Sequence, residues 1–574
     1  MDRISITSFG LVFALTACGS STPAPPPGGS AGSGSPGSAG APPATAGSTG
    51  NPGGGAAPTA GAGNVNGGAG GDGSVGTPGG AGGAPPGAAG AAGAAGAAGA
   101  SGPATALVTS AVGAYWKTGT FTDATGTADV TVDDTAAKQN WDGFGAAFNE
   151  LGWSYLTTQA LQDQALQLLF GTEGTHFAWG RIPIGASDYA MSRYTLDDTG
   201  TDVAADSTGS NRPATDTALT KFSIARDGEK LIPFIKAAQA VNPALKFWAS
   251  PWTPPVWMKT GYKTDDGNGG TAKKPSYFDG GTMSSDAAIL TAYAQYFVKF
   301  VAAYKDKGIN IDVLAPANEP NYEQNYPSCK WESANFANFI ATYLGPAMMT
   351  ASPTTKLMLG TMSNGDQTGK DDAVVAAVLA NATAKGFSTV AGAQWGMLDA
   401  TKMAGVKSAG IPIWATEHKC GNYPWNPSGY PKYNATQAPN DLPYAVESWG
   451  YLKTAINTIG VTSYNAWNMV LDKNGLGIDT SRDWRQDALL VVDGGAIIQT
   501  PAYYVFRHLA QYVVPQAKVV SSSNADTVAF KNPDGSVVAV IYNAGAAKAN
   551  YTVTLHGKTV QFAMPAAGWA TIKL

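Results

Sequence analysis

Two glutamates stand just after apolar runs that are typical of buried strands. Glu319 follows the run 311–317, and Glu417 follows the run 411–415. Two carboxyl groups at the mouth of one cleft are the minimum equipment for cleaving a glycosidic bond, one as proton donor and one as nucleophile. Solvated glutamates outnumber catalytic ones, so it is the strand-end position of both residues that favours this chemistry.

The neighbours of Glu319 suit a proton donor. The amide of Asn318 can hydrogen-bond a sugar hydroxyl beside the reacting carbon, and Pro320 turns the chain out of the strand. A retaining mechanism needs two carboxyl groups about 5–5.5 Å apart, with one ionised and one protonated near neutral pH. We therefore expect Glu319 and Glu417 to share one cleft.

The elements that must position these glutamates follow an alternating pattern. Helical periodicity separates apolar runs, as in Leu161, Ala165 and Leu169, which follow the two candidate capping residues Thr157 and Thr158. The predicted strands are 141–148, 176–184, 245–250, 311–317, 356–362, 390–395, 411–415 and 461–467. This pattern predicts an α/β fold, a (β/α)₈ TIM barrel with catalytic residues at the C-terminal strand ends. Glu319 then ends the fourth strand and Glu417 the seventh.

The pattern changes after residue 504 to short alternating runs. These predicted strands are 527–531, 536–542, 551–555, 559–563 and 570–574, with a hairpin turn at 532–535. The segment 105–139 is expected to add strands to the same antiparallel β-sandwich. The predicted domains are therefore the N-terminal strands at 104–139, the barrel at 140–500 and the C-terminal strands at 501–574.

The first hundred residues do not encode a folded core. Residues 1–18 are typical of a signal peptide with a lipobox, in which Cys18 is lipidated; an ordinary signal peptide that contains a cysteine is the alternative. Residues 19–103 are almost entirely Gly, Ala, Pro, Ser and Thr, which predicts a disordered tether spanning on the order of 50 Å. We expect an exported protein, lipid-anchored at a bacterial cell surface or outer membrane, or secreted.

Charge and histidine content limit the partners. The net charge is −5 and no block of Lys or Arg stands out, which argues against nucleic acid. The 4 histidines have no paired spacing, so we expect no catalytic zinc, and no phosphate-binding loop is present. The expected protein is a monomer without cofactor that contacts a membrane only through the lipid on Cys18.

Two further cysteines follow the two glutamates. Cys329 comes shortly after Glu319 and Cys420 after Glu417. If both glutamates share one barrel mouth, these loops are neighbours, and export permits a disulfide. A Cys329–Cys420 bridge and two unpaired thiols remain alternatives, because pairing does not follow from sequence.

A series of motifs follows in order along the chain. They are 141–150 (WDGFGAAFNE), 181–189 (RIPIGASDY), 250–259 (SPWTPPVWMK), 318–320 (NEP), 416–417 (TE), 467–472 (WNMVLD) and 500–508 (TPAYYVFRH). This set resembles glycoside hydrolase family 30, which contains glucosylceramidases, β-1,6-glucanases and xylanases. The resemblance spans residues from about 105 to 574. It implies a barrel with a side β-domain built from both chain ends, and a retaining β-glycosidase.

The resemblance also implies roles for individual residues. Glu319 matches the general acid/base and Glu417 the nucleophile. Glu150 stands where the family usually has an Asp that holds the distal hydroxyls of the sugar, and Arg181 is expected to keep Glu417 ionised. The further residues expected to line the sugar site are Asn318, Trp252, Trp395 and Trp467.

Structural explanations exist for several of these residues. Arg181 also fits a barrel arginine paired with a core acid, and the tryptophans also fit core aromatics. Asp188 and Tyr189 either line the cleft or cap the loop after the second strand. His418 is interpreted as a supporting loop residue, because a retaining enzyme needs no base beyond its carboxyl groups.

The chain departs from the family pattern in two places. After the sixth strand it reads Ala-Gln-Trp-Gly at 393–396, where many members carry a His and a Tyr, and Glu150 is one methylene longer than the usual Asp. Both differences concern which sugar fits. The expected substrate is a β-linked polysaccharide or glycoconjugate, β-1,6-glucan or a glucosyl conjugate. A xylan-, fucoside- or galactan-directed enzyme and a non-catalytic carbohydrate-binding barrel remain alternatives.

Overall fold

Eight parallel strands close into a barrel in the computed structural model, which describes residues 105–198, 212–262, 276–364, 371–423, 436, 440–480 and 483–574. The strands are β1 (Gly143–Ala147), β2 (Trp179–Ile184), β3 (Lys246–Pro251), β4 (Val313–Leu314), β5 (Lys356–Ser363), β6 (Ser388–Gln394), β7 (Ile413–Glu417) and β8 (Ser463–Asn468). Each lies within or overlaps one of the eight predicted runs, and β8 pairs with β1 to close the barrel. The predicted (β/α)₈ barrel is confirmed.

The barrel strands are apolar because both of their faces are buried. Their inward side chains form an aromatic layer in which Trp179 meets Trp414 edge to face at 4.7 Å and Trp248 packs nearby. Strand β4 is shorter than its predicted run. Pro316 has no N–H to give a neighbouring strand, so regular pairing ends before it.

Helices cover the outside of the barrel. Thr158 caps one of them by accepting a hydrogen bond from the Leu161 N–H, as predicted, and Asp286 caps the longest. Their bounds are Glu150–Tyr155, Gln159–Phe170, Leu231–Val241, Ala287–Asp306, Ser333–Asn338, Phe339–Leu344, Gly345–Ala351, Asp372–Ala380, Ala382–Phe387, Ala404–Ser408, Leu442–Thr454, Ala455–Ile459 and Pro501–Ala510, with single turns at Val256–Met258 and Trp395–Met397.

Both ends of the folded chain build one antiparallel-rich sheet beside the barrel. The strand Ala106–Ala111 pairs with the final strand Gly568–Lys573, with Leu107 opposite Ile572. The order across the sheet is Ala114–Thr118, Ala106–Ala111, Gly568–Lys573, Val537–Asn543, Thr527–Lys531, Lys518–Ser522, Val130–Asn140, Lys548–Leu555, Lys558–Met564 and Thr122–Asp123. The side β-domain from both chain ends is therefore present.

Residues 501–510 form a helix, although they were predicted to belong with the C-terminal strands. His508 on this helix lies within 2.8 Å of both Ser110 Oγ and Thr571 Oγ1, so it ties the barrel to strands from both chain ends. Small strands that the sequence analysis did not predict are Val470–Asp472, Leu490–Asp493, Ala496–Gln499, Lys259–Thr260 and Thr282–Met283.

The signal peptide, Cys18 and the tether lie outside the described residues. Among the residues that are described, no helix combines the length and apolar character of a bilayer-spanning segment.

Candidate active site

Glu319 and Glu417 lie at the C-terminal rim of the barrel. Glu417 is the last residue of β7 and pairs in register with Gln394 on β6. Glu319 follows β4, and its backbone N–H donates to the Thr361 carbonyl on β5 at 2.9 Å. Its φ of 43° is in the left-handed region, which is uncommon outside glycine and clusters at functional sites. Both carboxyl groups are buried.

Arg181 connects the two glutamate-bearing loops from the middle of β2. Its Nη1 donates to Glu417 Oε2, and its Nη2 donates to Asn318 Oδ1 at 2.6 Å. Ser250 accepts two further hydrogen bonds from the same guanidinium, at 3.1 and 3.3 Å. The side chain is completely buried, so its charge acts on Glu417 with little screening by water.

Gln394 supports the other carboxyl group. Its amide nitrogen donates to Glu319 Oε1 at 2.9 Å and to Asn318 Oδ1 at 3.2 Å. Thr361 also donates to Asn318 Oδ1, at 3.0 Å. The Asn318 oxygen is therefore occupied on three sides, which leaves its amide nitrogen as the group to meet a ligand.

The two carboxyl groups have different electrostatic surroundings. Burial, and then the charge of Glu417, raise the pKa of Glu319 to about 7. Burial also raises the pKa of Glu417, but the Arg181 ion pair and the Trp395 indole N–H oppose that rise. Because the cation lies against Glu417, a proton shared by this pair rests on Glu319.

Trp252 and Trp467 form an aromatic wall beside Arg181. Their rings stack with centroids 5.3 Å apart, and the guanidinium lies 4.3 Å from the Trp252 ring and 5.4 Å from the Trp467 ring. The Trp467 Nε1–H is buried and has no hydrogen-bond partner among the described residues. A flat apolar wall with a free donor suits a sugar, which presents C–H faces and hydroxyl oxygens.

Trp395 contacts the second oxygen of the predicted nucleophile. Its Nε1–H donates to Glu417 Oε1 at 3.2 Å, and its backbone φ of 44° is again left-handed. The His418 ring packs edge to face against Trp395 at 4.9 Å and against Tyr451 at 4.2 Å. Burial lowers the pKa of His418 well below its ordinary value, so it is neutral and supports Trp395.

Glu150 does not join this network within the described residues. Its Oε2 accepts from the Met191 N–H at 2.9 Å and from Arg226 Nη2 at 3.2 Å. Among charged groups, Arg226, Glu229 and Lys230 have the largest effects on its pKa. The structure therefore places Glu150 in an ion pair beside the site rather than against Arg181.

Asp188 is a site carboxyl that the sequence analysis left undecided. Asp188 is buried, and burial is the largest cause that raises its pKa. The negative charges of Glu417 and Glu319 raise this pKa further. Its Oδ1 is buried without a hydrogen-bond partner in the described part of the chain. The signal in the sequence is its place shortly after β2, at the same rim as the two glutamates.

Cys329 and Cys420 are free thiols, so the bridge considered above is wrong. Cys329 lies beside Lys259 and the Met283 backbone, and its thiol donates weakly to the Lys330 carbonyl. Cys420 lies instead beside Tyr444 and Asp487. The two loops pack their cysteines into different parts of the core, although both loops follow rim glutamates.

A closed barrel with two buried rim carboxyl groups in different electrostatic surroundings is typical of barrel hydrolases that use two carboxyl groups. A model described as the glycosyl hydrolase family 30 TIM-barrel domain matches residues 141–513, and one described as the family 30 beta sandwich domain matches 515–572. The chain belongs to glycosyl hydrolase family 30 and is a retaining β-glycosidase. The family resemblance seen in the motifs is confirmed.

Relatives agree with this placement. A putative glucosylceramidase 4 of Caenorhabditis elegans is 28% identical over 452 residues, covering 74% of this chain and 78% of that protein. An endo-1,6-β-D-glucanase of Aspergillus fumigatus is 27% identical over 453 residues, covering 74% and 83%. A solved endo-β1,6-glucanase structure has a TM-score of 0.66 at 22% identity, covering 82% of this chain and 98% of that one, which supports the fold.

Proposed function

We propose that Glu417 is the nucleophile and Glu319 the general acid/base of a double displacement on a β-linked sugar. The observation that carries these roles is the position of one cation. Arg181 lies against Glu417, whereas Glu319 receives only neutral hydrogen-bond donors. Glu417 is thus kept as the carboxylate, and Glu319 holds the proton.

Each step uses one of these states. The Glu417 carboxylate forms a bond to the anomeric carbon while the bond to the leaving oxygen breaks, and Glu319 gives its proton to that oxygen. A water then attacks the anomeric carbon, Glu319 takes a proton from it, and the bond to Glu417 breaks. Both enzyme groups return to their starting protonation states.

The sugar subsite is proposed to lie between the aromatic wall and Asp188. Trp252 and Trp467 offer flat faces, and the Asn318 amide nitrogen offers a donor next to the reacting carbon. Asp188 Oδ1 offers an unoccupied acceptor for hydroxyl groups. We assign to Asp188 the hydroxyl-holding role that the resemblance had given to Glu150, because the charges of Glu417 and Glu319 act on Asp188, whereas Glu150 binds Arg226 through one oxygen.

The proposed substrate is β-1,6-glucan, with glucosyl conjugates as the second candidate, in line with the names of the relatives. The aromatic cluster that contains Trp252 and Trp467 continues to Tyr326, in the loop that follows Glu319. Tyr326 stacks on the half-buried Trp484 at 5.5 Å. An aromatic cluster that extends from the proposed first subsite to the half-buried Trp484 supports a chain of sugars as substrate.

The roles are tested by chemical rescue. Glu417→Ala should lower kcat by about 10⁴-fold or more, since the covalent step is lost. Azide should restore turnover of an activated aryl glycoside and give the α-glycosyl azide, identified by NMR. Glu319→Ala is the matched control: azide should then give the β-glycosyl azide, because the covalent intermediate still forms. Near wild-type hydrolysis by Glu417→Ala would sink the assignment.

The substrate is tested separately on a panel of β-1,6-glucan, glucosylceramide, glucuronoxylan and aryl β-glucoside, β-xyloside and β-fucoside. We expect the highest kcat/KM on β-1,6-glucan, with oligosaccharide products. Preference for xylan or for a fucoside would exclude the proposed substrate while leaving the roles of the two glutamates in place.

We also propose that the mature protein is anchored through a lipid on Cys18. The support is the order of features in the sequence: a short apolar segment, small residues before Cys18, and a Gly-rich segment after it. The Gly-, Ala-, Pro-, Ser- and Thr-rich composition of residues 19–103 is typical of a linker, and a linker would give an anchored enzyme reach toward a polymer outside the cell.

A further inference from the structure

A third buried carboxyl group, that of Asp371, lies next to the acid/base loop. The side chain is fully buried just before the helix Asp372–Ala380. Its Oδ2 accepts a hydrogen bond from the backbone N–H of Ser363, the last residue of β5. The backbone N–H of Asn321, two residues after Glu319 in the sequence, interacts with the same carboxyl group.

These contacts hold the chain on both sides of Glu319. The Glu319 N–H is bound to Thr361, two positions before Ser363 on β5, and the Glu319 carbonyl accepts from the Tyr322 N–H at 2.9 Å. The left-handed φ at Glu319 costs free energy, on the order of 1 kcal/mol, and persists only where the surroundings enforce it. Asp371 binds both elements that enforce this φ, through Ser363 on β5 and through Asn321 in the turn after Glu319.

Asp371 also fixes the neighbouring strand end. Its N–H donates to Asn364 Oδ1 at 2.5 Å. Asn364 in turn packs so closely on Gly396 that a Cβ there would lie 1.7 Å from the Asn364 carbonyl oxygen. Gly396 follows Trp395, which binds Glu417. We call this set, formed by Asp371, Ser363, Asn364 and Asn321, the Asp371 box.

We propose that Asp371 is a positioning residue that aims the Glu319 carboxyl group for proton transfer to the leaving oxygen. This inference rests on the proposed role of Glu319 as general acid/base, and it adds Asp371 as the residue that orients the Glu319 carboxyl group. Asp371 touches neither the other glutamate nor the aromatic wall in any described hydrogen bond. Its loss should therefore affect proton donation more than sugar binding or nucleophilic attack.

The readout is dependence on the leaving group. A phenyl glycoside needs proton donation, whereas a dinitrophenyl glycoside departs without it. Asp371→Ala should lower kcat/KM on the phenyl glycoside by at least about tenfold, and on the dinitrophenyl glycoside by less than about threefold. Asp371→Asn, which keeps an acceptor oxygen for the Ser363 N–H, should stay within about threefold of wild type on both.

Two controls separate this role from a structural one. Asp227 is also a fully buried carboxyl, bound by Tyr194 and Tyr304 away from the two glutamates. Asp227→Ala should lower the melting temperature without creating leaving-group dependence. All variants are compared by thermal unfolding, and kinetics are measured well below each transition.

The outcomes distinguish this inference from the proposed function. Glu319→Ala should show the same leaving-group dependence more strongly; if it shows none, the acid/base assignment itself fails. If Glu319→Ala shows it but Asp371→Ala loses activity equally on both substrates, or keeps it on both, Asp371 does not position the acid/base. An Asp371→Asn variant as impaired as Asp371→Ala would equally overturn the role of the acceptor oxygen.

Discussion

The burial of the Glu319 carboxyl group destabilises the folded state at neutral pH, but it also keeps a proton available for catalysis. Its ordinary pKa is 4.5, and burial beside Glu417 raises it to about 7. Below pH 4.5 the group is protonated in the folded and the unfolded chain alike. As pH rises through the window from 4.5 to 7, the unfolded chain ionises first, so the free energy of unfolding falls. Above pH 7 the full penalty of a buried carboxylate remains.

Glu319→Gln should therefore stabilise the protein while removing catalysis. At pH 8 we expect a gain on the order of 2 kcal/mol in the free energy of unfolding, because the neutral amide replaces a buried carboxylate. At pH 4 the gain should disappear. Urea unfolding at both pH values measures it, with the exposed Glu332→Gln as control. An equal gain at both pH values would show that ionisation of Glu319 is not its cause.

The site was only partly predictable from the sequence. The strand-end position located Glu319, Asn318 and Glu417, since a barrel gathers the ends of all its strands at one rim. The same rule does not separate Glu150 from Asp188, because both acids follow a barrel strand. Three-dimensional packing gives the two acids different neighbours: Arg226 pairs with Glu150, whereas the charge of Glu417 acts on the buried Asp188.

At the scale of elements, His508 connects the barrel to the side domain. It is fully buried, and burial followed by the nearby Arg507 charge lowers its pKa to about 3, so it is neutral at physiological pH. One ring nitrogen carries a proton and the other accepts. The ring therefore satisfies both Ser110 and Thr571 with one donor and one acceptor.

His508→Ala should destabilise the protein by about 2–4 kcal/mol. The substitution leaves a cavity, and the buried hydroxyl groups of Ser110 and Thr571 lose their hydrogen bonds to the ring. The folded fraction should keep its kcat, because His508 lies outside the site. Guanidinium unfolding and kinetics on the same preparation test this. The exposed His556→Ala, which loses a hydrogen bond to Asp134, serves as control and should cost less than about 1 kcal/mol. A similar small cost for His508→Ala would contradict the connecting role.

The elements differ in how well the sequence predicts them. Long, mostly apolar runs located all eight barrel strands, because strands buried on both faces carry few polar residues. The strand Lys518–Ser522 was not predicted, since its five residues include a lysine and two serines. Residues 501–510 were grouped with strands, although Pro501 at the first turn and Thr500 as cap are typical of a helix start.

At the scale of the whole molecule, the proposed anchor is tested by Cys18→Ser. In a bacterial host we expect the wild type to sediment with membranes and to incorporate labelled palmitate, and the variant to lose both properties. Its kcat on a soluble aryl glycoside should not change, because Cys18 is not among the residues of the proposed site. Ser20→Ala is the control and should remain in the membrane fraction. A wild type that incorporates no palmitate would exclude lipidation.

The pairing of Ala106–Ala111 with Gly568–Lys573 also sets an order of assembly. The strand Ala106–Ala111 is synthesised long before its partner Gly568–Lys573 and must wait for it. Until the C-terminal residues emerge, the early strand has an unpaired edge, and open edges invite association between chains. Joining segments so distant in sequence is slow because the long loop must close first. A chain that lacks the strand Gly568–Lys573 therefore leaves one edge of the strand Ala106–Ala111 unpaired.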